Sequence, residues 1–340
     1  MSDGSGSAAR RSDPAPTAPP NADLYLGVDL GATKLATALL DAHGTIVATH
    51  RSAIPAGARP TDVVAEVGRH ALSELLTDPV RIRAVGVGIA AQVRPGTGEV
   101  HFAPNLGWRD VPLQRMLETT LERPTLVTND VRAATYGEWT HGAGEGAHHL
   151  VCVWVGTGVG GSVVIDGQLL EGATNTAGEV GHVPVVKDGR ACRCRGTGCL
   201  EAYVAGWAIA ERARERAERF PESARAVVRL AGGSAEKIVG RHIADAFHAG
   251  DPFARAIVLE TGEFLGTGLT SVINAFNPGR ILLGGGVLDG IPELAGLAET
   301  YARAHALDAA LVGISFGMAR LGPDAGAVGA AALARDRLRE

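Results

Sequence analysis

The sequence predicts a duplicated α/β fold, in which two domains face each other across a cleft. Two observations lead to this prediction. A pair of apolar strands joined by a Gly/Thr turn occurs near residue 31 and again near residue 157, about 127 residues later. With 340 residues, the chain is also long enough for two domains that each bury a core. A supersecondary pattern that restarts at this spacing is typical of two similar units.

The first half begins after a segment rich in Ser, Ala, Pro and Gly. This composition predicts a disordered and dispensable tail at residues 1–22. Apolar runs between turn residues then predict strands, and apolar residues spaced three and four apart predict helices. In chain order, we expect strands at 24–30, 35–40 and 45–50, a helix at 60–77, a strand at 82–89, a helix at 113–121, a strand at 125–128 and a helix at 131–140.

The second half repeats the pattern from residue 149. We expect a strand at 150–155, a turn at 156–161, a strand at 162–165, helices near 201–219, 234–249 and 252–275, and a strand at 280–283. The last helix, from 325 to about 338, is expected to pack back on the first half. The predicted domains are therefore 23–129 together with 323–340, and 130–322.

Composition excludes several classes of function. The formal net charge is −5, whereas a dedicated nucleic-acid binder usually carries a basic face. No apolar run approaches the ~20 residues that span a bilayer, and Arg10 and Arg11 are not followed by the apolar stretch of a secretory signal. We therefore expect a soluble, cytoplasmic protein with neither nucleic-acid nor membrane partners.

Three of the four cysteines lie close together in the sequence. Cys192, Cys194 and Cys199 fall within eight residues, and His182 precedes them. Three thiolates and one imidazole are a complete tetrahedral ligand set for zinc. Disulfides or unreactive thiols are the alternatives, although a C-x-C bridge is strained and cytosolic thiols stay reduced. We predict a closed, structural zinc site.

Three glycine turns follow strands, at 31–34, 156–161 and 284–286. Such turns expose main-chain N–H groups, and glycine lets a phosphate chain approach closely. Each turn alone is weak evidence, because most glycine-rich hairpins are only hairpins. None has the G-x-x-x-x-G-K-[ST] spacing of a Walker A loop, and the first two lead into strands and not into the helix of a dinucleotide fold.

The order of the motifs resembles that of the ROK family of sugar kinases and repressors, over about residues 24–335. The motifs are Asp29-Leu-Gly-Ala-Thr-Lys34, Pro104-Asn105, Asn129-Asp130, Gly156-Thr-Gly-Val-Gly-Gly161, Glu179-Val-Gly-His182, the three cysteines with Leu200-Glu201, and Gly284-Gly-Gly286. The resemblance implies an actin-like, hexokinase-type (ribonuclease H-like) ATPase fold, with ATP and Mg²⁺ in the cleft and a hexose beside them.

The resemblance also assigns roles to residues. It implies that Asp130 is the base that accepts the proton of the sugar hydroxyl, where an ordinary helix N-cap is the alternative. It implies that Asp29 positions Mg²⁺ or its waters, where capping of the turn is the alternative. The implied hexose ligands are Asn105, Asn129, Asp130, Glu179, His182 and Glu201. The implied ATP-binding residues are Asp29, Gly31, Thr33, Lys34, Gly156, Thr157, Gly158, Gly284, Gly285 and Gly286.

Two positions depart from the family pattern. Arg195 stands where the metal loop usually has glycine, which puts the geometry of the loop in question. Ala90-Ala91 replaces a usual Pro-Gly in a loop that borders the sugar, which can shift specificity.

The implied activity is the ATP-dependent phosphorylation of glucose to glucose 6-phosphate, by a homo-oligomer (a dimer or tetramer). Kinase activity is favoured over repression, because repressors of the family carry an N-terminal winged helix and only about 22 residues precede the first strand here. The alternatives are another hexose or an N-acetylated amino sugar as substrate, polyphosphate as donor, and a sugar-sensing regulator without turnover.

Overall fold

A computed structural model describes residues 22–55, 57–69 and 81–338. The predicted tail lies outside these residues except for Ala22, and so does the end of the helix predicted at 60–77. The described chain forms two five-stranded sheets and a small three-stranded sheet. The strands are β1 (Leu24–Leu30), β2 (Lys34–Asp41), β3 (Ile46–Ala53), β4 (Ile82–Ile89), β5 (Gln92–Val93), β6 (Val100–Ala103), β7 (Trp108–Val111), β8 (Thr125–Asn129), β9 (Leu150–Val155), β10 (Val159–Ile165), β11 (Gln168–Leu169), β12 (Arg280–Gly284) and β13 (Ser315–Met318).

The two large sheets have the same topology, so the predicted duplication is confirmed. The first has the order β3-β2-β1-β4-β8 and the second β11-β10-β9-β12-β13. In each sheet the first three strands form an antiparallel meander. The other two strands of each sheet add in parallel. The carboxyl ends of the parallel strands therefore meet at one edge of each sheet, where side chains from distant parts of the chain converge.

Twelve α-helices lie within the described residues. They are α1 (Pro60–Arg69), α2 (Leu113–Leu121), α3 (Asp130–His141), α4 (Glu201–Val204), α5 (Gly206–Arg219), α6 (Arg225–Leu230), α7 (Gly240–His248), α8 (Pro252–Phe276), α9 (Gly286–Gly290), α10 (Glu293–His305), α11 (Asp308–Leu311) and α12 (Ala325–Arg337). The single helix predicted at 201–219 is wrong, because it breaks at Ala205, where the backbone is extended. The break lets the main-chain N–H of Gly206 donate to the carbonyl of Gly156 at 2.9 Å.

Helix α8 is long and apolar enough to span a bilayer by length and composition. Many of its apolar residues, among them Ile257, Leu265, Leu269 and Ile273, are buried in the core of the second half, whereas Leu259 is exposed. The helix also carries Arg255, which no uninterrupted apolar run would contain. This burial is typical of the central helix of a packed domain.

Helix α12 packs on the first half of the chain and lies between the first sheet and α3. Its residues 325–334 are all buried. The contacts are made by backbone, because small residues face one another. A Cβ atom on Gly86 of β4 would lie 1.9 Å from the carbonyl oxygen of Ala330, and one on Gly329 would lie 1.8 Å from that of Ala133 in α3. Glycine is therefore required at both positions.

We predict that Gly329→Ala destabilises the protein. Alanine is favoured over glycine in a helix interior by ~1 kcal/mol, but a methyl group forced against backbone costs about 1–3 kcal/mol or more. The clash should prevail, and the midpoint of thermal unfolding should fall by several degrees. Gly296→Ala in α10 is the matched control, because a Cβ atom there meets nothing within 4 Å. That control should be neutral or stabilising; equal melting temperatures for the two variants would contradict the packing argument.

Candidate functional site

Two aspartates lie together at the edge of the first sheet. Asp29 is near the end of β1, and Asp130 follows β8 as the first residue of α3. Gly88 of β4 lies between the two strands, and a Cβ atom on it would be 3.4 Å from the Cα of Asp130. Burial and, secondly, the charge of Asp130 raise the pKa of Asp29 to about 7. Burial likewise raises the pKa of Asp130, which hydrogen bonds from Val131, its own N–H and Asn129 lower. The pair forms an acidic site with a tendency to hold a proton or a cation.

Asn129 fixes the start of α3. Its Oδ1 accepts a hydrogen bond from the main-chain N–H of Arg132 at 3.2 Å, which makes it the N-cap. Its Nδ2 donates to the carbonyl of Ala91 at 3.4 Å. Both ends of the amide are thus engaged within the protein. Through Asn129, the Ala90-Ala91 loop, whose sequence differs from the family pattern, is tied to the start of α3.

Two glutamates of the second half converge on the same place. Glu179 precedes a 3-10 turn at Val180–His182, and Glu201 begins α4. Partial burial raises the pKa of Glu179; His182 and Arg132 oppose this rise, whereas the negative charges of Asp130 and Glu201 add to it. Oε2 of Glu201 accepts a hydrogen bond from the N–H of Val159 at 2.9 Å. Asp130, Glu179, His182 and Glu201 are therefore neighbours, although they come from both halves of the chain.

Asn105 is the predicted hexose ligand that the structure does not bring to this cluster. It lies exposed on the turn between β6 and β7, which a hydrogen bond from Leu106 N to the carbonyl of Ala103 closes at 3.2 Å. Among the described residues, its side chain makes no hydrogen bond to the carboxylates.

The three glycine turns have the predicted positions. In the first, Gly31 N donates to the carbonyl of Lys34 at 2.9 Å, and Thr33 and Lys34 are exposed. In the second, Gly156 N donates to the carbonyl of Gly158 at 2.9 Å. This turn is shorter than predicted, because β10 begins at Val159.

The second and third turns are adjacent. A Cβ atom on Gly156 would lie 3.9 Å from the main-chain nitrogen of Gly286, and Gly285 has a φ of 100°. Gly284 ends β12, and Thr157 is exposed at the second turn. The second and third glycine turns therefore lie together at the end of the second sheet.

The predicted metal ligands lie together. The ligand atoms of His182, Cys192, Cys194 and Cys199 are all within 4.8 Å of one another. Sγ of Cys194 is 3.7 Å from Sγ of Cys199, and Sγ of Cys192 is 3.9 Å from Nδ1 of His182. A tetrahedral zinc ion with Zn–S bonds of ~2.3 Å separates its sulfur ligands by about 3.8 Å, so the set can hold zinc. All four cysteines are free, and the alternative of disulfide bonds is not supported.

Arg195 shows how the loop accommodates its departure from the family pattern. Its φ is 76°, in the left-handed region that glycine adopts freely. Its main-chain N–H closes the turn by donating to the carbonyl of Cys192 at 3.0 Å. The geometry expected for glycine is therefore retained, at a cost of roughly 1–2 kcal/mol. Cys152 is not part of this set; it is buried in β9, as predicted for a core residue.

Two residues near the site were missed from the sequence. Arg132, on the first turn of α3, and Asn175, between β11 and the 3-10 turn, hydrogen bond to each other beside Glu179. The position of Arg132, two residues after Asp130, did not predict a buried role, because arginines on a first helical turn are usually solvated.

Known proteins resemble this chain over nearly its whole length. The family model described as ROK family matches residues 25–337. A glucokinase of Streptomyces coelicolor is 35% identical over 320 residues, which are 92% of this chain and 98% of that protein. The crystal structure of a ROK family glucokinase from Streptomyces griseus in complex with glucose and AMPPNP is 36% identical, covers 92% of this chain and 99% of its own, and has a TM-score of 0.76. A xylose repressor of Bacillus subtilis is 24% identical over 269 residues, 78% of this chain and 65% of the repressor.

We predict that Asp29→Asn stabilises the protein at high pH. The pKa of Asp29 is about 7 in the folded protein against an ordinary 3.8, so folding takes up a proton between these values. Its contribution to stability is therefore fully present below about pH 4 and is lost as the pH rises through 7, by ~4 kcal/mol at most. Asparagine does not titrate, so the stability of the variant relative to wild type should rise from pH 5 to pH 8.

Urea unfolding at the two pH values, without added Mg²⁺, measures this difference. Asp245→Asn on the exposed face of α7 is the control for the substitution itself, and the stabilisation by Asp29→Asn at pH 8 should exceed its effect. A pH-independent effect of Asp29→Asn would show that its carboxyl titrates normally.

Proposed function

This chain belongs to the ROK family, and we propose that it is an ATP-dependent hexokinase that converts glucose to glucose 6-phosphate. The observation that carries the proposal is the convergence of Asp130, Glu179, His182 and Glu201 beside the glycine turns of two sheets. Carboxylates and an imidazole match the hydroxyls of a pyranose, which both donate and accept hydrogen bonds. The glucose complex of the S. griseus relative supports the same substrate class.

Asp130 is the proposed catalytic base. It accepts the proton of the 6-hydroxyl while the oxygen attacks the γ-phosphorus, the phosphoryl group is transferred and ADP leaves. Its raised pKa brings the carboxylate closer to the working pH, where a general base is most effective. Asn129 holds the first turn of α3 and so orients Asp130, in addition to its proposed contact with the sugar.

Glu179, His182, Glu201 and Asn105 complete the proposed hexose site. His182 presents Nδ1 to the cysteines, which leaves Nε2 for a sugar hydroxyl. Asn105 could contribute once its exposed turn approaches the sugar. Zinc on His182, Cys192, Cys194 and Cys199 would be structural, since four protein ligands leave no open position.

ATP is the proposed donor, bound between the turns of the two sheets. From the first sheet, ATP would be contacted by the turn residues Gly31, Thr33 and Lys34. From the second sheet, it would be contacted by the turn residues Gly156, Thr157, Gly158, Gly284, Gly285 and Gly286. Asp29 would hold Mg²⁺ or its waters, and its buried position beside a second carboxylate is suited to a cation. When bound, Mg²⁺ neutralises charge on the phosphates.

We propose two domains with the site between them, residues 23–129 with 323–340 and residues 130–322. Helix α3 (Asp130–His141) is the exception to this division, because it packs on α12 and the first sheet. The protein is proposed to be soluble and cytoplasmic, without nucleic-acid or membrane partners, and to form a dimer or tetramer. A regulator that senses a sugar without turnover is the second candidate, and the resemblance to a xylose repressor favours it.

A sugar panel with ATP tests the proposal. ADP release is measured with glucose, mannose, fructose, N-acetylglucosamine and N-acetylmannosamine, and kcat/KM should be highest for glucose. Preference for another sugar would reassign the substrate within the kinases. Binding of a sugar without formation of a sugar phosphate, whether ATP or polyphosphate is offered as donor, would favour the regulator.

We predict that Asp130→Asn lowers kcat by ~10²–10⁴ while glucose binding weakens much less, because asparagine keeps the shape but cannot accept the proton. Steady-state kinetics and calorimetry measure the two effects. Asp245→Asn should leave both unchanged. Near wild-type kcat in Asp130→Asn would refute the assignment of the base.

We predict that Cys194→Ser depletes bound zinc and weakens glucose binding, while nucleotide binding persists. Three remaining ligands hold a structural zinc less tightly, so His182 and the loop before Glu201 lose their cross-link. Metal analysis and calorimetry with each ligand measure this. Cys152→Ser is the matched control and should retain the metal, since it lies outside the set. Metal-free wild-type protein, or unchanged glucose affinity in Cys194→Ser, would contradict the prediction.

A further inference from the structure

Arg132 is a buried cation with an incomplete set of partners. Only 4% of its surface is exposed, although it lies on the first turn of α3, two residues after Asp130. Its Nη1 donates to Oδ1 of Asn175, and its Nη2 donates to the carbonyl of Asn175 at 3.0 Å. Its Nε is buried and has no hydrogen-bond partner among the described residues. Burial lowers the pKa of the guanidinium, against the opposing charges of Glu171 and Glu179.

Asn175 joins three parts of the fold. It lies in residues 171–178, which connect β11 to the 3-10 turn at Val180–His182, and its φ is 64°. While its Oδ1 and carbonyl accept from Arg132, its Nδ2 donates to the carbonyl of Val93 in β5 at 3.2 Å. One amide therefore ties segment 171–178 to both α3 and β5. Glu179 follows directly, so the position of this segment sets the position of Glu179.

A small cavity lies beside the pair. Its volume is about 10 Å³, and Asn129, Arg132, Ser162, Asn175 and Glu179 are among the residues that line it. Two of these residues, Ser162 and Arg132, each have a buried polar atom (Oγ and Nε) without a hydrogen-bond partner in the part of the chain that the structure describes. A polar space of this size is about large enough for one water molecule. Arg132 thus shares a polar cavity with Asn129 and Glu179, two of the residues proposed to bind the hexose.

A role in stability alone explains this arrangement poorly. Removing a guanidinium from water is costly, and a neutral amide compensates the charge less than a carboxylate does. The surface pair Arg337–Glu171 fastens the same segment without burial, with 42% and 44% of the side chains exposed. What the buried pair adds is a fixed geometry at the point where segment 171–178 meets α3.

We propose that Arg132 is a positioning residue for hexose binding, which clamps Asn175 and thereby sets Glu179 against Asp130. The proposal rests on the hexokinase activity proposed above. The clamp is expected to affect the binding of the hexose and not of the nucleotide. Asn175 lies four residues before Glu179, whereas the glycine turns proposed to bind the nucleotide belong to other parts of the two sheets.

Two variants each remove one partner of the Arg132–Asn175 pair. Arg132→Met keeps the apolar stem and removes the guanidinium, and Asn175→Gly removes the amide but still adopts the positive φ. Each should raise KM for glucose 10-fold or more and leave KM for ATP within twofold. The double variant should be no worse than the more affected single variant, because the two residues act as one unit. Arg337→Met is the control: it removes the surface ion pair between α12 and Glu171 of the same segment, and it should leave both KM values within twofold.

Hydrogen exchange of segment 171–178 provides a readout that does not depend on activity. Exchange there should be at least 10-fold faster in Arg132→Met and Asn175→Gly than in wild type, with no change at 156–158. Lower melting temperatures with KM for glucose within twofold of wild type, or unchanged exchange of the segment, would overturn the proposal. A wild-type protein that phosphorylates no hexose would refute the proposed function, and the exchange comparison alone would then decide whether the clamp exists. If Arg132→Met does not fold, Asn175→Gly decides both measurements.

Discussion

The backbone contact of α12 with α3 and the first sheet is the constraint on which the site depends. Small residues let these elements approach until any added methyl group would overlap main-chain oxygen, as at Gly86 and Gly329. The same contact places the two aspartates. Asp130 begins α3, and Asp29 lies against the first turn of α12, where a Cβ atom on Gly326 would be 2.7 Å from its Cγ. Glycine and alanine contribute little apolar area, so their role here is to let α12 approach α3 and the first sheet closely.

Burial of these carboxylates creates an electrostatic cost in the folded protein. Asp29 and Asp130 both have raised pKa values because they are buried, and the pKa of Glu179 is also raised. Groups that would ionise more readily in the unfolded chain oppose folding at neutral pH. A polar substrate or a cation in the site would relieve this cost, which means that ligands are expected to stabilise the protein as well as to bind it. The buried carboxylates thus lower the free energy of unfolding at the site where the proposed reaction requires them.

Elements with a long apolar run or a clear apolar period could be predicted from the sequence, whereas elements defined by tertiary contacts could not. Strands β1, β4 and β9 were predicted with the observed bounds, because each is a continuous apolar run between turns. The strands of the small sheet and β13 have two to four residues, too few to show a period. The break at Ala205 depends on a hydrogen bond to Gly156, which is distant in sequence. The metal ligands could be predicted because their chemistry is local, whereas the Arg132–Asn175 pair spans 43 residues.

Glu201 connects the metal loop to the rest of the site. One carboxylate oxygen accepts from the N–H of Val159, directly after the second glycine turn, and the other lies 3.6 Å from Sγ of Cys192. A change in the loop is therefore transmitted to a side chain that faces both the proposed sugar and the proposed phosphate positions. Arg195 retains a left-handed φ without glycine, which indicates that this loop geometry is held against local strain. A metal on four protein ligands would act here by fixing Glu201 and His182, with no need to touch either reactant.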